Sequence, residues 1–333
     1  MDFCVILPVK DEQLFIERCL NSLVGSCTSR RFAIYVVDDH STDETMLLVR
    51  NFSKASPIPI ILLHNKGKGV AAAYRTAIDA CGTRYVVRFT AHLIASPETL
   101  DTLVNELERR SQVSVVTCRF ISSRDQSIMA RALSLALTSF LGGWGTPHHP
   151  LVETGFVRAI GPCSIIKRDV LRQIGGYPEG DDSVLSSLLE RKGLKIYLTQ
   201  RTHVQYTYKY ADPLSHLARM FDYGHSRAIE SISYPSLSQI LYFAPSFLVS
   251  ALAFDVLVHA LHYGISLYLD VLMATYVCLV CANSLLTSAN ELEVLPLVIL
   301  GIISTHISYG IGHLFGLTQG ILCRLKFRVR TNK

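Results

Sequence analysis

The residues of this 333-residue chain best suited to chemistry are acids in three short segments, CVILPVKDE (4–12), VVDDHSTDET (36–45) and EGDDSVLSSLLERKG (179–193). Carboxylates accept hydrogen bonds from a base N–H or from sugar hydroxyls, and a well-placed one removes a proton from an attacking hydroxyl. A fourth segment, RFTAHL (88–93), offers only Thr90 and His92. A hydroxyl and a neutral imidazole hold Mg2+ poorly, whereas Mn2+ tolerates imidazole better. Lys66-Gly67-Lys68-Gly69 precedes an Ala-rich stretch. Flexible glycines, free helix N–H groups and two cations there suit a phosphate, and a solvated surface loop would read the same way.

Placing these groups together requires a scaffold, and the chain alternates two periodicities. Residues 3–8, 32–37, 58–63, 85–89 and 113–118 read as strands. Residues 14–24, a segment capped by Ser41 or Thr42 and running through Phe52, 69–80 and 100–110 read as helices. The alternation predicts an α/β domain with a mostly parallel sheet covered on both faces, and ligands bind such sheets beyond the carboxyl ends of the strands. Asp38, Asp39 and His92 fall at such ends. Residues 128–141 read as an amphipathic or interfacial helix, and 142–150 as a loop with the single Trp. Residues 165–174 and 182–191 read as two more helices.

Hydrophobic residues make up 49% of the chain, and the mean hydropathy of +0.30 has a local cause. From 236 to 322 there is no Lys or Arg, and the acids are Asp255, Asp270, Glu291 and Glu293. That run far exceeds the roughly 20 residues of one crossing. The expected division is an α/β domain over 1–235, membrane-embedded helices over 236–322 and a basic cytoplasmic tail over 323–333. Candidate spans are 237–261, 265–286 and 294–322. The tail's Arg324, Lys326, Arg328 and Arg330 favour an even number of crossings by the positive-inside tendency. Asp255, His259, Asp270, His306 and His313 lie in the apolar run, either as functional groups or at helix ends. The diffuse net charge of +5 argues against nucleic-acid binding. Nine cysteines without a paired framework suit a reducing compartment, and Cys278 and Cys281 read as small buried-helix residues. The N-terminus lacks the features of a signal peptide, so the α/β domain is expected in the cytosol.

VDDHSTDET resembles the VDDGSTDGT signature of inverting family 2 glycosyltransferases, which have the GT-A fold, Rossmann-like with a mostly parallel sheet. PVKDE resembles their P-x-x-N-E opening, with Asp11 in place of Asn, and IGGYPEGDD (174–182) their GGF…(E/D)D segment, with Gly193 at the usual spacing. The resemblance covers about residues 1–230. It looks closest to a branch of membrane-attached glucosyltransferases of succinoglycan-type assembly, which carries D-A-H and Y-G-x-x-R-A segments like 90–92 and 223–228.

The resemblance implies that Pro8 and Val9 line a base, Asp39 binds it and Glu12 lies near the ribose, with Lys68, Arg75 and Thr90 on the rest of a nucleotide-sugar. Asp38 and Ser41 would otherwise merely make an Asx turn and cap a helix. Asp182 would be the general base, with Asp181 beside it, or else the pair merely opens a helix. Thr90-Ala91-His92 replaces the metal-binding Asp-x-Asp. A divalent cation, Mn2+ or Mg2+, would be held at His92; alternatively Lys68, Arg75 or Arg88 would neutralise the leaving diphosphate, or the site is degenerate. Trp144 and His148, with His149, lie in the acceptor-facing loop, where Trp144 would stack on a sugar or anchor at a membrane. Val184, Leu188 and Met220 depart from the family pattern. The implied activity is transfer from a nucleotide-sugar, UDP-linked by the family's habit, to a lipid-linked glycan at the cytosolic membrane face. A polyprenyl-phosphate monoglycosyltransferase and a non-catalytic binding subunit are the alternatives.

Overall fold

The computed structural model describes residues 1–26, 29–143, 152–180, 182–233, 237–260 and 266–331. The chain opens with β1 (Phe3–Val9), α1 (Ile16–Val24), β2 (Phe32–Asp38), α2 (Thr45–Ala55), β3 (Ile60–His64), α3 (Gly69–Ala80) and β4 (Tyr85–Arg88). It continues through β5 (Leu93–Ala95), α4 (Thr99–Arg109), β6 (Val113–Ser122), α5 (Ile128–Thr138), α6 (Phe140–Gly143), β7 (Gly155–Val157), β8 (Ser164–Lys167), α7 (Arg168–Gln173), α8 (Asp182–Arg191) and β9 (Lys195–Tyr206). Four helices follow: α9 (Pro213–Ser233), α10 (Ala244–Ala260), α11 (Ser266–Thr287) and α12 (Leu295–Thr331).

Contacts divide the chain into two units, one of Met1–Ser123 with Thr146–Thr207, the other of Arg124–Gly145 with Tyr208–Lys333. The first is built on a sheet of order β3-β2-β1-β4-β8-β6-β9-β5, with β7 pairing β9. Its half β3-β2-β1-β4 is wholly parallel, while β8 runs antiparallel between β4 and β6. Alternation explains the two covered faces. Phe3, Val5, Leu7 and Val9 pack with Ile16 and Leu20 of α1 and Leu103 of α4, whereas Cys4 and Ile6 pack with Tyr74 of α3 and Leu185 of α8. Because β1 is flanked by β2 and β4, the strand order reverses there, and the loops after β1, β2, β3 and β4 gather at one carboxyl edge.

The helix expected over 165–174 is half strand. Residues 164–167 pair with both β4 and β6, and Ile165 and Ile166 are fully buried on opposite faces; two-sided pairing overrides a local helical pattern that begins only at Arg168.

The second unit contains three helices long and apolar enough to cross a membrane, at Gln239–Ala260, Leu267–Thr287 and Leu292–Leu322. Within the protein only 6% and 11% of the first two are buried, against 39% of the third. The third is covered because small residues let α9 lie along it. A Cβ on Gly224 would sit 2.0 Å from the Tyr309 carbonyl oxygen, and one on Gly312 would sit 2.1 Å from that of Phe221. Residues 208–233 therefore cluster with the apolar helices, and the division by contacts falls at Thr207. Arg131 of α5 grips Glu291 with two hydrogen bonds of 2.7 and 2.6 Å, which hold the Glu291 carboxyl below its ordinary range.

Gly312→Leu should force α9 and α12 apart at a cost of about 1–3 kcal/mol or more. A lowered melting temperature of the detergent-solubilised chain checks this, with Gly82→Ala, where nothing lies within 4 Å of the added Cβ, as the neutral control. A second outcome concerns His216 of α9, whose ring bonds Tyr208 Oη at 2.7 Å and Thr305 Oγ1 at 3.0 Å. Burial pushes this imidazole down from 6.5 to about 4, so the folded chain holds it neutral. Its stabilisation is complete above pH 6.5 and is lost as pH falls toward 4. Melting at pH 5 should therefore show a loss of roughly 1–2 kcal/mol relative to pH 7 that His216→Gln reduces.

Candidate active site

The carboxyl edge of the parallel strands is organised first by loops bonded to one another. Asp11 and His40 adopt left-handed backbone conformations (φ 51° and 63°) that turn the chain after β1 and β2. Asp11 Oδ1 then accepts from the Thr42 amide at 2.7 Å and its hydroxyl at 3.2 Å, while the Asp11 amide donates to Ser41 Oγ. The Glu12 amide donates to Thr45 Oγ1 at 2.7 Å, and the Gln13 amide to Asp43 Oδ2 at 3.1 Å. Burial works to raise the Asp43 carboxyl, but hydrogen bonds from Thr45 and Gln13 outweigh it and hold it below its ordinary value. Much of the acidic and hydroxylic content of these segments is thus structural.

Asp38 accepts from the Ser41 amide in an Asx turn. Asp39 faces the next loop. Its Oδ1 takes a hydrogen bond from Asn65 Nδ2 at 2.7 Å, and its Oδ2 one from the Gly69 amide at 3.0 Å. Asn65 also donates to the Gly69 carbonyl and accepts from the Gly67 amide, which orders the Lys-Gly-Lys-Gly turn. Gly69 sits at φ +79° at the start of α3, a conformation that favours glycine. Lys68 is exposed beside it. Pro8 and Val9 end β1, and Val9 accepts from the Asp39 amide at 2.9 Å, so the carboxylate, the end of β1 and the N-terminus of α3 form one surface.

After β4 come Thr90 and His92. Thr90 Oγ1 and His92 Nδ1 are buried and have no hydrogen-bond partner among the described residues. Glu12 Oε1 lies 3.9 Å from His92 Nδ1, and Phe15 and Tyr206 meet the imidazole edge-on. An imidazole nitrogen and a carboxylate oxygen this close are two ligand types that Mn2+ accepts. Among the described residues, the one group of three metal-ligating side chains is elsewhere, at Asp255, His259 and Asp270. There the two ring nitrogens of His259 face different carboxylates, Asp255 and Asp270, each at 3.5 Å, so the ring can give a metal only one of them.

Asp182 opens α8 and is ion-paired with Arg88, the last residue of β4. The Arg88 guanidinium lies 5.1 Å from the centre of the Tyr74 ring and 5.7 Å from that of Tyr177, and it also donates to the Gly161 carbonyl. Burial lowers its basicity, but Asp182 and the two phenols outweigh this and hold it charged; burial pushes Tyr74 itself up to about 12. Arg75 pairs with Glu179 at 2.6 Å and donates to the Tyr177 carbonyl. Of the three cations expected near a diphosphate, Lys68 and Arg75 stand at the surface and Arg88 is only 2% exposed. Asp181, Trp144, His148 and His149 lie outside the described residues.

Residues 4–175 match glycosyl transferase family 2, just over half of the chain. The chain belongs to that family. The O-antigen biosynthesis protein RfbC of Myxococcus xanthus is 23% identical over 217 residues, 60% of this chain and 17% of that protein. The minor teichoic acid biosynthesis protein GgaB of Bacillus subtilis is 21% identical over 213 residues, 62% of this chain and 23% of that one. The chain thus spans about a fifth of the length of these curated relatives. The mannosyltransferase PcManGT from Pyrobaculum calidifontis, solved with GDP-Man and Mn2+, superposes with a TM-score of 0.64 at 19% identity, covering 94% of this chain and 86% of that one. That likeness is one of fold, of the GT-A type.

Sequence reasoning did not single out Asn65, Tyr74 or Tyr177, and it offered Arg88 only as one of three cations that would neutralise a diphosphate in place of a metal. The aromatic at 177 stands in the GGF-like segment, a local signal; the partner of Arg88 is 94 residues away and leaves none. Because Asp11 serves as an acceptor of two hydrogen bonds, Asp11→Asn should be tolerated, whereas Asp11→Ala should cost about 1–3 kcal/mol in chemical unfolding.

Proposed function

We propose that the chain transfers a sugar from a nucleotide-sugar, UDP-linked, to a lipid-linked acceptor, with inversion and with Asp182 as general base. The observation that carries this reading is the shared edge. Asp39 with the Asn65–Gly69 turn, Glu12 with His92, and Arg88 with Asp182 all follow parallel strands of a family 2 domain. Pro8 and Val9 would support the base, Asp39 and Glu12 its polar edge and the ribose, and Lys68, Arg75 and Thr90 the diphosphate. A carboxylate 42% exposed at a helix N-terminus has the access a base needs. A divalent cation held by His92, Glu12 and Thr90 would supply charge neutralisation for the leaving diphosphate. Helices able to cross a membrane suit an acceptor with a lipid tail, and we place the family 2 domain on the cytosolic side. The relatives' roles in O-antigen and minor teichoic acid biosynthesis support a polymer-building pathway.

One observation favours a second reading. Asp182 is already ion-paired with Arg88, and a polyprenyl phosphate acceptor needs little base. Membranes containing the chain should release UDP from at least one UDP-sugar, and Asp182→Asn separates the readings. A loss of 100-fold or more in kcat supports a hydroxyl acceptor, and a change under threefold supports a phosphate acceptor. UDP binding without turnover of any donor would contradict both. In the same assay, EDTA should lower the rate and Mn2+ restore it if the cation is held as proposed, and undiminished activity in EDTA would remove the cation.

A further inference from the structure

The structure assigns Arg88 a positioning role: its buried guanidinium holds the Asp182 carboxylate ionised and fixed at the N-terminus of α8. This rests on the reading of Asp182 as general base and adds the group that sets its charge and direction. The two partners are unequally placed. The Arg88 side chain is 3% exposed and that of Asp182 is 42% exposed, so an acceptor can reach the acid and not the cation. Arg88 is therefore not a diphosphate ligand, and its charge acts through Asp182.

Three elements are closed into a ring around this pair. Arg88 donates to the Gly161 carbonyl as well as to Asp182. Next to Gly161, the Ile160 amide donates to Ser186 Oγ at 3.0 Å, and Ser186 Oγ donates to the Asp182 carbonyl at 2.6 Å. The end of β4, the segment before β8 and the first turn of α8 are thereby held in one register. The stacked pair of Tyr74 and Tyr177, 4.6 Å between ring centres, flanks the guanidinium and limits its rotation. Arg88 Nε is buried without a hydrogen-bond partner among the described residues. An arginine placed only for stability would be expected to satisfy that group; here the orientation favours Asp182 and Gly161 instead. A cation in contact with a carboxylate favours its ionised form and keeps it ready to accept a proton at lower pH.

The test uses the full chain in detergent and two readouts. Infrared difference spectra of wild type against Asp182→Asn, recorded across pH without substrate, report the titration of Asp182 itself. The pH profile of UDP release from UDP-glucose, with lipid extract as acceptor source, reports function. Arg88→Met should move the Asp182 midpoint up by one pH unit or more and carry the acid limb of the rate profile with it. The KM for UDP-glucose should stay within twofold. Arg88→Lys should restore the midpoint but lower kcat about tenfold, because one ammonium does not reproduce the planar fork that serves both acceptors. An unmoved midpoint in Arg88→Met, or a moved midpoint with an unmoved acid limb, would overturn the proposal. If Arg88→Met does not fold, a wild-type kcat in Arg88→Lys overturns it and a tenfold loss with the midpoint retained supports it. Full activity of Asp182→Asn would remove the base reading instead, leaving the infrared result to stand or fall alone.

Discussion

The hydrogen bonds that join the loop after β1 to the loop after β2 are the constraint on which the rest of the edge depends. Parallel pairing brings these loops side by side, but pairing alone does not fix where their side chains go. Asp11 and Asp43 do so by accepting amide and hydroxyl donors across the gap, and each replaces a backbone partner that a strand would have supplied. With those loops set, Asp39 is left facing Gly69 and Asn65, and the turn before α3 is ordered by the side chains of Asp39 and Asn65 rather than by backbone hydrogen bonds of its own. The same carboxylate that organises the turn is the one proposed to read a base, so local order and recognition share one group.

The other half of the edge is governed by a buried charge. Placing a guanidinium in the interior is costly unless it is paired and its hydrogen bonds are met. Arg88 meets that condition with one carboxylate, one carbonyl and two aromatic faces. The arrangement makes Asp182 an acid whose charge is defined from beneath while its outer side stays accessible. In a family whose usual metal-binding acids are here Thr90 and His92, a protein cation two residues before Thr90 is the one positive charge of β4.

Much of this was legible in the sequence. Strands β1, β2 and β4 follow from short apolar runs and helix α3 from the Ala-rich stretch after Lys68, and the apolar C-terminal run announces helices of membrane-crossing length. Local patterns failed where distant partners decide. Residues 164–167 carry a helical pattern yet are captured by strands on both sides. The grouping of α9 with α12 depends on glycines more than 80 residues apart, each unremarkable alone. Likewise Thr90-Ala91-His92 reads as a loss when only its own letters are considered. The structure adds that Glu12 faces His92, a donor pair that no spacing rule connects.

The central claim, that nucleotide binds at the carboxyl edge between Asp39 and the turn of residues 65–69, is tested most directly by hydrogen–deuterium exchange with and without UDP. Bound UDP should slow exchange at the amides of residues 39–45 and 65–70 and leave α10 and α11 unaffected. Slowed exchange that spares both segments while UDP is demonstrably bound would contradict it.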